Sequence, residues 1–214
     1  MGISMMRFTI NANEYLSCNI RAFYHGDYVG FRRSGNPDFL NYLKNDYRNQ
    51  APQILRDSRA KLYDIIVKDL PAIQKEIKIY PLTVCMVPRA KDHNCYSENQ
   101  LFFLSTISNA VNAMRGFYDG TRYIIRHTST KTTHLGRNAT NFSNYPSPYP
   151  GITKSTCYIS EKVRGRDILL IDDIYTKTVN IDEDAIEALL SNGAKSVTFY
   201  AIAKTVANRH LLIL

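Results

Sequence analysis

The sequence predicts an α/β fold, a mainly parallel sheet flanked by helices, from three observations. Ile168 to Asp172 is a short run with only its last residue polar, the composition of a strand buried on both faces. Leu82-Thr83-Val84-Cys85-Met86-Val87 is a second run of the same kind. Each is followed by a helical pattern and then another strand-like run. Strand, helix, strand at that spacing implies a parallel crossover.

The 214 residues suffice for one substantial core. Residues 1–78 read as an N-terminal α+β extension of short strands then helices, and residues 79–214 as the α/β domain. The first 36 residues alternate loosely between apolar and polar, as in Met6-Arg7-Phe8-Thr9-Ile10. His25-Gly26-Asp27 punctuates them, and His25 is expected in a surface turn. From Pro37 the pattern is helical, with Phe39, Leu40 and Leu43 on one face. A second helix starts near Pro52 with Ile54, Leu55, Leu62, Ile65 and Ile66 as its apolar face. Arg48, Arg56, Arg59 and Lys61 decorate it, as a solvated face or as contacts to phosphate. Pro71 is expected to end or kink this helix.

After the strand at 82–87 comes the basic turn Pro88-Arg89-Ala90-Lys91-Asp92-His93. Ser97 with Gln100 makes a capping box. Leu101, Leu104, Ile107, Val111 and Met114 mark one face of a long helix, with Gly116 as its C′ residue. The next strand is expected at Arg122–Arg126. Residues 127–155 then form a long irregular segment carrying Lys131, His134 and Arg137. Loops of this length are functional lids or flexible linkers.

Arg164-Gly165-Arg166 turns into the central strand, which ends in Asp172 and Asp173. Adjacent strand residues face opposite ways, so these two acids are not expected to share one proton. They suit the hydroxyls of a polyol, or Mg2+ held through water. An acidic strand end followed by a helix cap explains them equally well. A polar turn leads into a helix at Ile181–Asn192. Asn180 with Glu183 is an N-cap signature, and Asp182, Glu183 and Asp184 complement the helix dipole. Asn192-Gly193 stops the helix, and Val197–Ala203 is the last core strand. The apolar residues 210–214 are expected to dock on this chain or a partner.

Lys and Arg outnumber Asp and Glu by 27 to 19, a net charge of +8 that favours an anionic partner: a phosphorylated ligand, nucleic acid or an acidic protein. No apolar run reaches membrane-spanning length, and the N-terminus lacks the pattern of a signal peptide, so a cytoplasmic location is expected. The four cysteines form no Cys-x-x-Cys pair, so no zinc ribbon is encoded; Cys85 and Cys157 read as small buried residues.

Leu170-Ile171-Asp172-Asp173-Ile174-Tyr175-Thr176 resembles the ribose-phosphate signature of type I phosphoribosyltransferases, most of all the small ComF-like, amidophosphoribosyltransferase-like proteins. The resemblance continues through Ala185–Leu190, Asn192-Gly193-Ala194-Lys195 and the strand at 197–203, and more loosely back to residue 82. It implies that Asp172 and Asp173 bind the ribose hydroxyls of phosphoribosyl pyrophosphate (PRPP) with Mg2+, and that Tyr175, Thr176, Lys177, Thr178, Val179 and Asn180 hold the 5′-phosphate. It further implies that Arg89, Lys91 and His134 contact pyrophosphate. Lys131 and Arg137 would serve catalysis from a mobile hood that closes over the substrate. A homodimer and a nucleic-acid-associated role remain open. The turn departs from the family pattern: Thr178 stands where a glycine is usual, Asn180 where a hydroxyl residue is usual, and Lys177 adds a cation.

Overall fold

The computed structural model describes residues 5–44, 51–130 and 151–206. Its centre is a six-stranded sheet in the order β1-β2-β8-β7-β3-β4. The strands are β1 (Met6–Ile10), β2 (Ile20–Tyr28), β3 (Leu82–Met86), β4 (Phe117–Gly120), β7 (Asp167–Tyr175) and β8 (Ser196–Thr205). Only β1 is antiparallel to its neighbour; β2 with β8, β8 with β7, β7 with β3 and β3 with β4 all pair in parallel. The central strands are apolar throughout because both faces are covered. On one face lie α1 (Asp38–Lys44), α2 (Pro52–Ile77) and α3 (Phe102–Ala113), packed over Leu169, Ile171, Tyr200 and Ile202. On the other lie α4 (Ile181–Ser191) and a two-stranded antiparallel ribbon, β5 (Ile124–Arg126) with β6 (Cys157–Ile159), packed over Ile168, Leu170 and Phe199.

The α/β class, the mainly parallel sheet and the buried strands at 82–86 and 167–175 agree with the sequence. The capping box of Ser97 and Gln100 is formed, although it opens a 3-10 turn at Glu98–Leu101 rather than the α-helix itself. Cys85 and Cys157 are buried, and burial pushes both thiols up. No helix among the described residues is long and apolar enough to cross a membrane. The expected division after residue 78 coincides with the end of α2, and the sheet runs across it. Ala22 lies beside Phe199 and Tyr24 beside Ala201, so the N-terminal strands share one sheet with the chain's last strand.

Other expectations need correcting. The parallel crossover from β3 through α3 exists, but it returns at Phe117–Gly120 and not at Arg122–Arg126. Gly116, with φ +85°, begins that strand: a Cβ there would lie 2.1 Å from the Tyr80 ring. The helix ends at Ala113, so the chain reaches the sheet earlier than the apolar pattern suggested. Residues 124–126 leave the sheet to pair with β6 instead. Nor does Pro71 end α2, which runs on to Ile77. Leu70, Ile73 and Ile77 are buried on either side of it, and that burial outweighs one lost backbone hydrogen bond. The apolar residues 210–214 and Arg48 lie outside the described residues.

His25 is not in a turn but inside β2, where its Nδ1 lies 2.8 Å from Oδ2 of Asp69 on α2. The Tyr200 hydroxyl of β8 donates to the same oxygen at 2.7 Å. Asp69 is 2% exposed, so this network fastens the longest helix to two strands where water cannot substitute. Asp69→Ala should therefore cost about 2–4 kcal/mol, through two partners left unsatisfied. Urea unfolding of the variant checks this, and a loss below about 0.5 kcal/mol would show that the network contributes no stability.

Candidate functional site

The two crossovers leave the sheet in opposite directions. From β3 the chain passes through α3 to β4 on one side; from β7 it passes through α4 to β8 on the other. The strand order therefore reverses between β3 and β7, and a crevice opens outside their carboxyl ends. Open α/β sheets bind ligands at such a point.

Asp172 and Asp173 stand at this crevice because β7 is paired unequally. On its β8 side the ladder runs from Asp167 to Tyr175; on its β3 side it stops with Met86 opposite Ile171 and the Val87 amide on the Ile171 carbonyl. The two acids are the next residues along. The strand does not end at Asp172, as the sequence suggested, because β8 supplies partners as far as Tyr175. The pleat is interrupted here, since Ile171 and Ile174 face the same core while Leu170 and Tyr175 face the other.

Each acid is already engaged. Asp173 is 4% exposed and lies 2.6 Å from the Lys44 ammonium at the end of α1. Its amide donates to Asp172 Oδ1 at 2.8 Å. Asp172, partly buried, lies within hydrogen-bonding reach of Asp182 in the first turn of α4. Burial, then the charge of Asp173, pushes Asp172 up to about 8, and burial with Asp172 beside it pushes Asp182 well above the carboxylate range. Asp182 Oδ1 and Glu183 Oε2 are buried and have no hydrogen-bond partner among the described residues. Asp182 was read from sequence only as a charge at a helix start; its recruitment to Asp172 depends on how α4 docks, which the local pattern does not encode.

The turn after the acids is held by its own side chains. The Val179 amide donates to the Thr176 carbonyl, and the Thr176 and Thr205 hydroxyls are 2.7 Å apart. Asn180 takes a left-handed conformation, φ 58°, which asparagine tolerates. The expected cap between Asn180 and Glu183 does not form. Asn180 Oδ1 instead accepts from Asn13 at 3.1 Å, and Glu183 accepts from the Tyr175 hydroxyl at 2.9 Å. Tyr175 is 4% exposed and packs against Phe8 and Phe199, so its side chain belongs to the core and not to a ligand surface. Lys177 and Thr178 are exposed, and Val179 is half-buried.

The basic turn divides into a staple and a rim. Arg89 donates to the Gln100 carbonyl at 2.8 Å and the Lys44 carbonyl at 2.6 Å, and stacks 4.0 Å over the Tyr96 ring. Those donors join the β3 loop to α1 and to the 3-10 turn before α3, a structural role for the Arg89 guanidinium. Burial lowers its pKa. Lys91 lines a solvent-open cleft with Met86, Val87, Phe103, Arg122 and Asp172. Arg126 lines it too, 2% exposed, with Nε on the Arg89 carbonyl at 2.7 Å and Nη1 on the Gly151 carbonyl at 3.0 Å. Sequence reading placed Arg126 only in a strand. Lys131, His134 and Arg137 lie outside the described residues.

No protein-family model matches the chain, and no curated protein matches it.

The acid cluster has a consequence for pH. Groups raised in the folded state hold protons that the unfolded chain has released, so between about pH 4 and pH 8 the native state binds more protons. Stability that is full below pH 4 is lost as pH rises through that window. Asp182→Asn removes one raised carboxyl and keeps a side-chain donor beside Asp172, whose ionised form the Asp182 hydrogen bond favours. Its Tm at pH 8 should exceed the parent's by about 3–6 °C, with a smaller fall between pH 5 and pH 8. Parallel Tm curves for the two proteins would mean that Asp172 and Asp182 are not coupled.

Proposed function

We propose that the chain binds PRPP at the crevice between β3 and β7 and transfers its phosphoribosyl group to a nitrogen acceptor, as its resemblance to type I phosphoribosyltransferases implies. The observation that carries this is the position of Asp172 and Asp173, side by side at the point where the strand order reverses. A polar turn and a helix N-terminus follow within a few residues.

Asp172 and Asp173 would accept hydrogen bonds from the two ribose hydroxyls, and the exposed backbone and side chains of Lys177 and Thr178 would face the 5′-phosphate. Lys91 at the cavity wall would lie toward pyrophosphate. In the transfer, the nitrogen lone pair forms a bond to C1 while the C1–O bond breaks. Pyrophosphate leaves with the electron pair, and the surplus N–H proton passes to water. The protein supplies position and electrostatics.

The described residues contain no group of three metal-ligating side chains. Mg2+ needs none, because it keeps its waters and takes most ligands from phosphates with one or two carboxylates. Asp172 and Asp173 would hold it through water. When bound it would neutralise charge on the departing oxygens.

Binding without turnover is the alternative, and one contact favours it. Lys44 already neutralises Asp173, so ribose must displace a partly buried ammonium. Thr178 and Asn180, where the family carries a glycine and a hydroxyl residue, point the same way.

Calorimetric titration with PRPP and Mg2+ tests both. Saturable binding is expected, weakened at least about tenfold in Asp173→Asn, a loss of about 1.4 kcal/mol or more. An acceptor screen that releases pyrophosphate selects the enzyme, and binding with no release selects the sensor. No binding at millimolar PRPP would overturn both.

A further inference from the structure

Lys44 comes to the crevice at the end of α1, from the N-terminal part of the chain, while Asp173 stands on β7. Their charged atoms are 2.6 Å apart, and the two side chains are 19% and 6% exposed. Water and salt screen a pair in that position only weakly. Asp173 therefore carries a cation before any ligand arrives, at the place where a divalent metal would otherwise be drawn.

The two ends of the lysine are held differently. Its carbonyl accepts from Arg89 at 2.6 Å, which ties down the main chain. Its ammonium sits on a flexible four-carbon stem, and the residue lines the solvent-open cleft. The backbone can stay in place while the ammonium moves.

The charge of the cleft decides when it moves. Arg89, Lys91, Arg122 and Arg126 line the cleft as well, and Asp172 is the single acid in the lining among the described residues. An ammonium released into that wall faces like charge. The carboxylate behind it, nearly out of water, loses this counter-ion, which is costly for a buried charge. Both penalties are relieved together when a phosphate enters the cleft. The anion gives the ammonium a new partner, and Asp173 becomes open to a cation that arrives with the anion.

We propose that Lys44 is an exchangeable counter-ion: it closes Asp173 to free divalent cations and passes to a phosphate oxygen when a phosphorylated ligand enters the cleft. The chain then admits Mg2+ together with the phosphate and not before it. The role of Asp172 and Asp173 toward Mg2+ is part of the phosphoribosyl reading, and the inference rests on it to that extent. The exchange at Lys44 needs only a phosphate, whatever group carries it.

The test is calorimetry of the full chain with MgCl2 and no PRPP, against NaCl of equal ionic strength. The parent should take up no Mg2+ at millimolar concentration. Lys44→Gln keeps a hydrogen-bond donor for Asp173 but removes the charge. It should bind Mg2+ saturably, with a Kd at least about tenfold below any the parent shows. Lys44→Met removes donor and charge together, and it is read by its thermal midpoint so that a marginal fold still reports. Millimolar MgCl2 should raise its Tm by about 3 °C or more and leave the parent's unmoved. Adding Asp173→Asn to Lys44→Gln should abolish the gain. Saturable Mg2+ binding by the parent alone, no gain in the two variants, or a gain that survives Asp173→Asn would each overturn the proposal. Titration of the parent with PRPP reads the phosphoribosyl assignment separately, so either can fail while the other stands.

Discussion

The candidate site exists because β7 has neighbours of unequal length. Its ladder with β8 extends to Tyr175, whereas its ladder with β3 stops at Ile171. The four residues from Asp172 to Tyr175 are thus carried by one neighbour and left open on the other side. Two of them are the adjacent acids. Had β3 continued, Asp172 and Asp173 would sit in the middle of a closed sheet, where no polyol or phosphate could reach them. A shorter β8 would leave them in a loop with no fixed direction. The fold solves a positioning problem through strand length alone, and helices close the crevice from both faces.

Charge placed in that crevice is expensive, and the surrounding elements show how the cost is met. Asp173 has an ammonium partner from α1, and the carbonyl of the same lysine receives a hydrogen bond from Arg89. Lys44 is therefore held at both its backbone and its side chain. Asp172 has no such cation of its own and relies on the proton it retains with Asp182. One acid is satisfied by a charge and its neighbour by a proton. That asymmetry distinguishes two side chains that look equivalent in the sequence.

Legibility followed the range of the interactions. The strands at 82–86 and 167–175, helix α4 and the capping box at Ser97 are specified by residues a few positions apart, and each was visible in the sequence. So was the location of the candidate site, because the acid pair ends an apolar run. What escaped was set by contacts between distant segments. His25 looks like a turn residue until Asp69 and Tyr200 are placed beside it. Asn180 and Glu183 match a cap, but Asn13 and Tyr175 take their side chains. Arg89 reads as a free cation, and its backbone partners lie on elements that local periodicity cannot bring near. Arg126 was missed as a polar wall residue because the strand around it looked like part of the main sheet.

The parallel alignment of β2 with β8 has a further consequence. Residues 22 and 199 are neighbours in one sheet, although nearly the whole chain separates them. β1 and β2 can pair with each other early, but they join the rest of the sheet only once β8 has been synthesised. Until then β8's future neighbour presents an unpaired edge, and the apolar residues of β2, Ala22 toward one core and Phe23 toward the other, await their cover. Closure of so long a loop is slow, and its entropy must be lost before any pairing rewards it. The pairing of β2 with β8 spans the greatest sequence separation in the sheet, and pairings of that kind form slowly and leave edges open to aggregation.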